Sequence, residues 1–202
     1  KYKNWDINRG SSINGSTALH CAVFFGRKKL KTVRALVEIG GASLDVLNHG
    51  GASVLSNAVD SVDSNIDVVR YLISKRPLKF DVNYRRRAVT PYWKLIYGIA
   101  RGIVKTKILK NEMMTELSHE SGTTALHCAS RRGDVALIEL LIQKGADPLI
   151  RDDLGLNMFA YCDAFPEIID ATKRVQREAK RVQNKQRTRS LFSRLKSRFS
   201  ST

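Results

Sequence analysis

The sequence is poor in the features that most often announce chemistry. Its three cysteines, Cys21, Cys128 and Cys162, form no Cys-x-x-Cys pair. An odd count without paired spacing argues against a disulfide framework and for a reducing, intracellular compartment, whether cytoplasm or organelle interior. No apolar run approaches the roughly 18 residues that a membrane span requires. There is no glycine-rich phosphate loop, no serine elbow and no Cys/His/Asp cluster with zinc-like spacing. A nucleophilic cysteine would need a thiolate and a positioned base, and neither is visible. No cofactor, metal or small-molecule substrate is therefore expected, and the chain reads as a non-enzyme. Acid is scarce in one place above all: from Lys173 to Arg198 eleven Lys and Arg residues face one acid, Glu178, so ten of the sixteen net positive charges fall in the last eighth of the chain. That asymmetry points to an acidic partner: nucleic acid, anionic lipid or an acidic protein. The chain opens on Lys1-Tyr2 without a methionine. It reads as a fragment or a processed form, which leaves open a removed targeting peptide and a catalytic part elsewhere in a parent protein.

What the sequence does contain is repetition. The hexapeptide Thr17-Ala18-Leu19-His20-Cys21-Ala22 returns unchanged at Thr124-Ala125-Leu126-His127-Cys128-Ala129. Aligned on the first residue, degraded copies give anchors at Thr17, Ser53, Thr90, Thr124 and Asn157, with steps of 36, 37, 34 and 33. A fixed period of this size marks a stacked-repeat architecture. In the clearest unit, Ser121-Gly122-Thr123-Thr124 turns into a helix from Ala125 to about Arg131, and Arg132-Gly133-Asp134 reverses the chain. A second helix then runs from about Val135 to Lys144 and is closed by Gly145. Unit 1 spans about Gly15 to Val46. Unit 2 is weaker at Ser53-Val54-Leu55-Ser56 but regular from Asn65 to Ile73. Unit 3 keeps Thr90-Pro91, places Trp93 where the histidine would stand, and reads as one long helix from about Ile103 to Leu117, distorting the hairpin before unit 4. Unit 5 is a cap: Leu140 and Leu141 become Lys173 and Arg174 one period later, as a terminal repeat with no further neighbour requires.

The pattern T-x-L-H-x-A, then G-D-x-x-x-I-x-L-L, then G-A-D resembles the ankyrin repeat. The resemblance covers roughly residues 6–172. It implies an all-α solenoid of about five helix-turn-helix units with a basic C-terminal helical extension: 1–14 the remnant of a preceding repeat, 15–172 the stack, 173–202 a basic amphipathic tail. The stretches Asp152-Asp153-Leu154-Gly155 and Tyr161 to Pro166 resemble a narrower subfamily, as in ankyrin-repeat proteins of some algae and related microbial eukaryotes. In ankyrin-like units the motif histidine ties neighbouring turns together through both ring nitrogens, the role implied for His20 and His127. Cys21 and Cys128 take the slot that faces into the stack, as small apolar residues.

Function is then expected at the hairpin tips and on the exposed face of the first helices, where ankyrin-like proteins bind partners. The candidate protein-binding residues are Phe24, Phe25, Arg131, Arg132, Asn48, His49, Arg85, Arg86 and Arg87. Of the two phenylalanines one is expected in the core and one outside as an anchor, the alternative being that both pack inside the stack. The triple arginine is expected at a tip, either solvated or gripping a carboxylate or phosphate with its planar forks. Asp152 and Asp153 read as solvated turn residues. In the tail, Arg181, Lys185, Arg187, Arg189, Arg194, Lys196 and Arg198 would meet an acidic surface, with Leu191, Phe192, Leu195 and Phe199 as an apolar anchor at helical spacing. The expected function is a protein-binding adaptor or assembly subunit. The alternatives are a peripheral RNA-contacting subunit of a ribonucleoprotein particle, or a subunit held at a membrane surface.

Overall fold

A computed structural model describes residues 6–26, 29–61, 63–75, 82–106, 112–162, 169–170, 172–174 and 177. Its elements are α1 (Ala18–Phe25), α2 (Lys29–Arg34) running on into a π turn (Ala35–Ile39), α3 (Val54–Asp60), α4 (Ile66–Ser74), α5 (Pro91–Thr106), α6 (Glu112–Glu120), α7 (Ala125–Arg131), α8 (Val135–Gln143) and a 3-10 turn (Met158–Tyr161). Among the described residues the only β pairing is a single bridge between Leu47 and Ser53. The helix starts follow from their caps. Thr17 and Thr124 each close a capping box with the histidine three residues on, while Ser53, Asn65, Asp134 and Asn157 accept from backbone N–H groups of the first turn. Such caps satisfy donors that would otherwise be orphaned and are worth about 1 kcal/mol each.

Two layers make the stack. In one layer α1 packs on α3, α3 on α7, and α7 on the 3-10 turn; in the other α2 packs on α4 and α4 on α8. Leu19, Val23, Val54, Val59, Leu126, Leu137, Leu141 and Met158 sit between the layers with almost no exposure. Each fully buried side chain of this kind contributes roughly 1.5–3 kcal/mol. α7 and α8 are apolar on nearly every side because they have neighbours on nearly every side. The first unit is longer than the fourth: fifteen residues separate Gly26 from Gly41, against twelve from Gly133 to Gly145. The π turn, closed by Gly40 N–H donating to the Ala35 carbonyl, takes up part of that excess within the helix.

The order of packing corrects one expectation. Unit 3 is not a layer of the stack: α3 of unit 2 lies directly against α7 of unit 4, and α5 and α6 pack mainly on each other. The loops agree, since the Ser64 hydroxyl donates to Asp134 across 70 residues of sequence, 3.0 Å away. The chain leaves the stack after Arg86 and rejoins it at Ser121. Arg86 N–H donates to the Thr123 carbonyl (2.7 Å) and Gly122 N–H donates to the Arg86 carbonyl (2.8 Å), so the neck of the excursion is a closed pair. Asn83 ahead of the neck accepts from Asp147 N–H (2.7 Å), repeating the tie that Asn8 makes with Ser43 N–H (2.8 Å) between earlier hairpins. Val82–Arg86 and Ser121–Ala129 are thus the two ends of one repeat, interrupted at its hairpin tip between Arg86 and Ser121. The long helix expected at Ile103–Leu117 is not formed. α5 ends at Thr106 and α6 begins at Glu112, and the two fold back on each other. In unit 5 the first helix is a 3-10 turn. Lys173 and Arg174 are exposed, as the cap comparison requires.

Candidate functional site

The surface between the first helices and the hairpin tips forms a groove of about 410 Å³. Cys21, Phe24 and Phe25 of α1 and Asn57 and Asp60 of α3 form its floor. Ser11, Asn14 and Asn48 of the hairpins form one wall, and Arg86 with Glu120, at the neck of the inserted hairpin, form the other. Phe25 is 76% exposed, while Phe24 is half-buried and meets the Phe25 ring edge-on at 4.6 Å between centroids. One phenylalanine thus seats the other, and the outer ring is held in place without being covered. Cys21 opens onto this groove and is exposed, which corrects the expectation that it faces into the stack like its counterpart. The difference has a local cause. Cys128 lies where α7 is covered on the same face, and burial together with the nearby Asp60 carboxylate pushes its thiol up to about 12. A thiol held protonated in this way is a packing group.

His20 and His127 are structural ties. The Nδ1 of His20 accepts from the Thr17 N–H (3.3 Å) and its Nε2 lies 3.2 Å from the Ala52 carbonyl of the next hairpin. The Nδ1 of His127 accepts from the Thr124 N–H (3.1 Å) and its Nε2 lies 3.3 Å from the Leu156 carbonyl. An accepting Nδ1 and a donating Nε2 define the neutral tautomer. Burial lowers both pKa values, against a smaller raising effect of the carbonyl each ring donates to. Neither ring keeps a lone pair for a metal. Among the described residues no three His, Cys, Asp or Glu side chains converge as a metal site.

Asp152 and Asp153 are not solvated, which corrects that reading. Asp152 is 4% exposed and accepts from Tyr161 Oη, Leu154 N–H and Leu156 N–H. Asp153 accepts from Arg85 and Arg101 at 2.8 Å each and from the Ser121 hydroxyl at 2.6 Å, joining two hairpins and α5. His119 Nδ1 lies 2.9 Å from Tyr161 Oη, completing a His119–Tyr161–Asp152 chain. Burial, then the Asp152 carboxylate, raises the phenol pKa, and burial lowers that of His119. The chain resembles a proton relay, yet the space enclosed by His119, His127, Cys128, Arg131 and Tyr161 holds no water-sized void, so no substrate could reach it.

The arginines expected on the binding surface divide. Arg86 is largely buried and ion-paired with Glu120, and its Nε faces the Gly50 carbonyl. Arg85 is spent on Asp153. Arg131 spans Asp60 (2.9 Å), Glu116 (2.8 Å) and Glu120 (3.6 Å), and Arg132 donates to the Asp60 carbonyl. These four bind the protein to itself: Glu120 of α6 holds Arg86, Asp153 holds Arg85, Asp60 of α3 with Glu116 and Glu120 of α6 hold Arg131, and the Asp60 carbonyl holds Arg132. Arg87 alone of the triple is exposed. Asn48 is buried and caps its own turn through Ala52 N–H (2.8 Å). His49 is half-buried against Gly15, and its carbonyl accepts from Val89 N–H. Both are turn builders. The tail residues Arg181, Lys185, Arg187, Arg189, Leu191, Phe192, Arg194, Leu195, Lys196, Arg198 and Phe199 lie outside the described residues.

Sequence reasoning missed the inserted hairpin. Tyr97 of α5 is buried and donates to the Gly50 carbonyl (3.1 Å), and Tyr84 donates to that of Gly51 (3.1 Å). Tyr97 seats the insertion, and Tyr84 the segment ahead of the neck, on the unit 1–2 tip. Gly51 has φ +80°, and a Cβ there would run into the Arg87 carbonyl, so the tip can take the insertion only with glycine at that place. Trp93 replaces the tying histidine, and its Nε1 is buried without a hydrogen-bond partner. The tryptophan in the histidine's place is the sequence signal that unit 3 lacks the tie of a stacked repeat.

Comparison with known proteins bears on the same boundaries. A family model described as "Ankyrin repeats (3 copies)" matches residues 2–86, and one described as "Ankyrin repeat" matches residues 121–153. The first match ends and the second begins where the chain leaves and rejoins the stack. The chain is also similar to "Ankyrin repeat and KH domain-containing protein mask-1" of Caenorhabditis elegans, at 30% identity over 79 residues. That stretch is 39% of this chain and 3% of the relative, so the chain spans only a small part of the relative's length. No helix among the described residues is long and apolar enough to cross a membrane.

Proposed function

Because the chain is an ankyrin-repeat protein, and such repeats are protein-interaction modules that are generally non-catalytic, we propose that it is an adaptor or assembly subunit. Its groove docks a protein, and its basic tail secures it to an acidic surface. The observation that carries the reading is Phe25, a large aromatic ring exposed over a polar-walled groove and propped by Phe24. Aromatic anchors of this kind carry a disproportionate share of interface energy. The groove is open rather than enclosed, which suits a protein segment better than a small substrate. The net charge of the segment from Lys173 to Arg198 supports the second contact. The buried thiol at Cys128 suits a reducing compartment.

The test is co-purification followed by pairwise reconstitution with each identified protein. The wild-type chain, Phe25→Glu and a chain lacking residues 173–202 are compared. Loss of one partner with Phe25→Glu, and weaker, salt-sensitive retention without the tail, is expected. Identical recovery by all three would sink the adaptor reading. The RNA alternative rests on the tail charge alone. It predicts tail-dependent retention on RNA that falls steeply with salt, because phosphate contacts release counterions.

A further inference from the structure

Beyond the groove, the inserted hairpin carries an apolar face that is exposed among the described residues. Nine large hydrophobic side chains are exposed among the described residues, and four of them, Val89, Tyr92, Leu95 and Ile99, lie at the start and along one side of α5, at 50–67% exposure. Tyr92, Leu95 and Ile99 stand at i, i+3 and i+7, the spacing of one helix face. The opposite side of the same helix is used internally: Tyr97 and Ala100 are buried and Arg101 pairs with Asp153. A contiguous exposed apolar face on an otherwise polar protein marks an interaction surface.

Charge selects the occupant. α5 contains Lys94, Arg101 and Lys105 and no acid, with Lys94 and Lys105 exposed. A second copy docked face to face would bring like charges together. The chain's own tail, with ten net positive charges, would meet the same repulsion. Next to the apolar residues, Gly98 and Gly102 lie one turn apart with open space where a Cβ would be. That leaves room for the backbone of a second helix to approach closely, which a lipid surface would not need. We propose that α5 is a docking surface for an acidic amphipathic helix of another protein, its apolar stripe laid over Leu95 and Ile99 and its carboxylates beside Lys94 and Lys105.

The experiment titrates two labelled synthetic peptides of about 20 residues, long enough to hold a helix when bound, into the full chain. Both carry leucines at helical spacing; one is flanked by glutamates, the other by lysines. The glutamate peptide is expected to bind saturably. Its affinity should fall about tenfold or more in the Leu95→Glu/Ile99→Glu double variant. Gly98→Leu should weaken it similarly while leaving the melting temperature unchanged or higher, since leucine is the better helix former. That second variant separates helix docking from mere stickiness, which an added leucine would increase. Phe25→Glu should leave this binding unchanged, so the result stands apart from that for the groove. Equal binding of both peptides overturns the proposal, as does binding that persists in both α5 variants and so belongs to the tail. Self-association abolished by Leu95→Glu would overturn it too. So would α5-dependent binding to phosphatidylserine vesicles without binding of the glutamate peptide.

Discussion

The stack and the inserted hairpin are built from segments of nearly equal length and held by opposite means. In the stack the inner first helices, α3 and α7, each have a first helix on both sides, and stability comes from side chains such as Leu126, Leu137 and Leu141 that see almost no water. In the hairpin α5 and α6 have each other, and they meet the rest of the protein through polar links: Arg101–Asp153, Arg86–Glu120, Glu116–Arg131 and Tyr97 to the Gly50 carbonyl. The comparison teaches that a repeat-sized segment becomes a repeat only when both its faces are apolar and its tie to the next hairpin is present. The hairpin satisfies neither condition.

The largest effect expected of that difference is in truncation of leucines. Leu141→Ala should cost about 2–5 kcal/mol in denaturant unfolding, whereas Leu95→Ala on the exposed face of α5 should stay within about 0.5 kcal/mol. Equal losses would erase the distinction between the two regions. Next comes the tie itself. His127→Ala removes the acceptor of the buried Thr124 N–H and the partner of the part-buried Leu156 carbonyl, at about 1–3 kcal/mol.

The same residues give a pH dependence with a definite sign. Burial lowers the folded pKa of His20, His119 and His127 from 6.5. On acidification the unfolded chain therefore takes up these protons first. Stability is full above about pH 6.5 and is lost progressively as pH falls below it toward and past the folded values. Melting temperatures measured from pH 7.5 to 5 should show a shallower fall in His127→Gln than in the wild type. His119 sharpens the comparison because it belongs to the hairpin. His119→Gln should flatten the pH dependence of amide exchange in α6 and leave that of α8 alone.

Smaller still is Asp153→Ala. It releases two partly exposed ion pairs worth up to about 1 kcal/mol each, and its main sign should be faster amide exchange in α5 rather than a shifted midpoint. The most drastic change should disturb the stack least. Excising residues 88–119 and joining Arg87 to Glu120 through two glycines keeps the main-chain pairs at the neck. Cooperative unfolding should survive with a change within about 1 kcal/mol. Loss of a cooperative transition would mean that the hairpin is part of the core after all.

Much of this fold could be read from the residues. The duplicated hexapeptide announced α1 and α7, and the regular stretches from Asn65 to Ile73 and from Val135 to Lys144 announced α4 and α8. The insertion hid for two reasons. Residues 87–120 number thirty-four, the length of a repeat, so the spacing of anchors carried no trace of it. Thr90-Pro91 begins a helix by local rules that operate equally inside or outside a stack. The candidate surface was legible in part. The adjacency of Phe24 and Phe25 beside Gly26 suggested that one faces outward but did not say which, or exclude that both pack inside; Phe25 is the exposed one. The fate of the arginines did not, because the acids that claim them lie far off in sequence. Arg85 finds Asp153 across 68 residues and Arg131 finds Asp60 across 71. Charge runs read as free whenever their partners arrive only through the tertiary fold.

The closed neck at Arg86 has an evolutionary consequence. Because the chain departs and returns through one pair of adjacent main-chain groups, whatever is spliced between those points need only have its own two ends side by side. The scaffold therefore offers a graft site at which a module can be lengthened, exchanged or discarded while α7 keeps its seat on α3. Selection on new recognition can act there without renegotiating the architecture beneath.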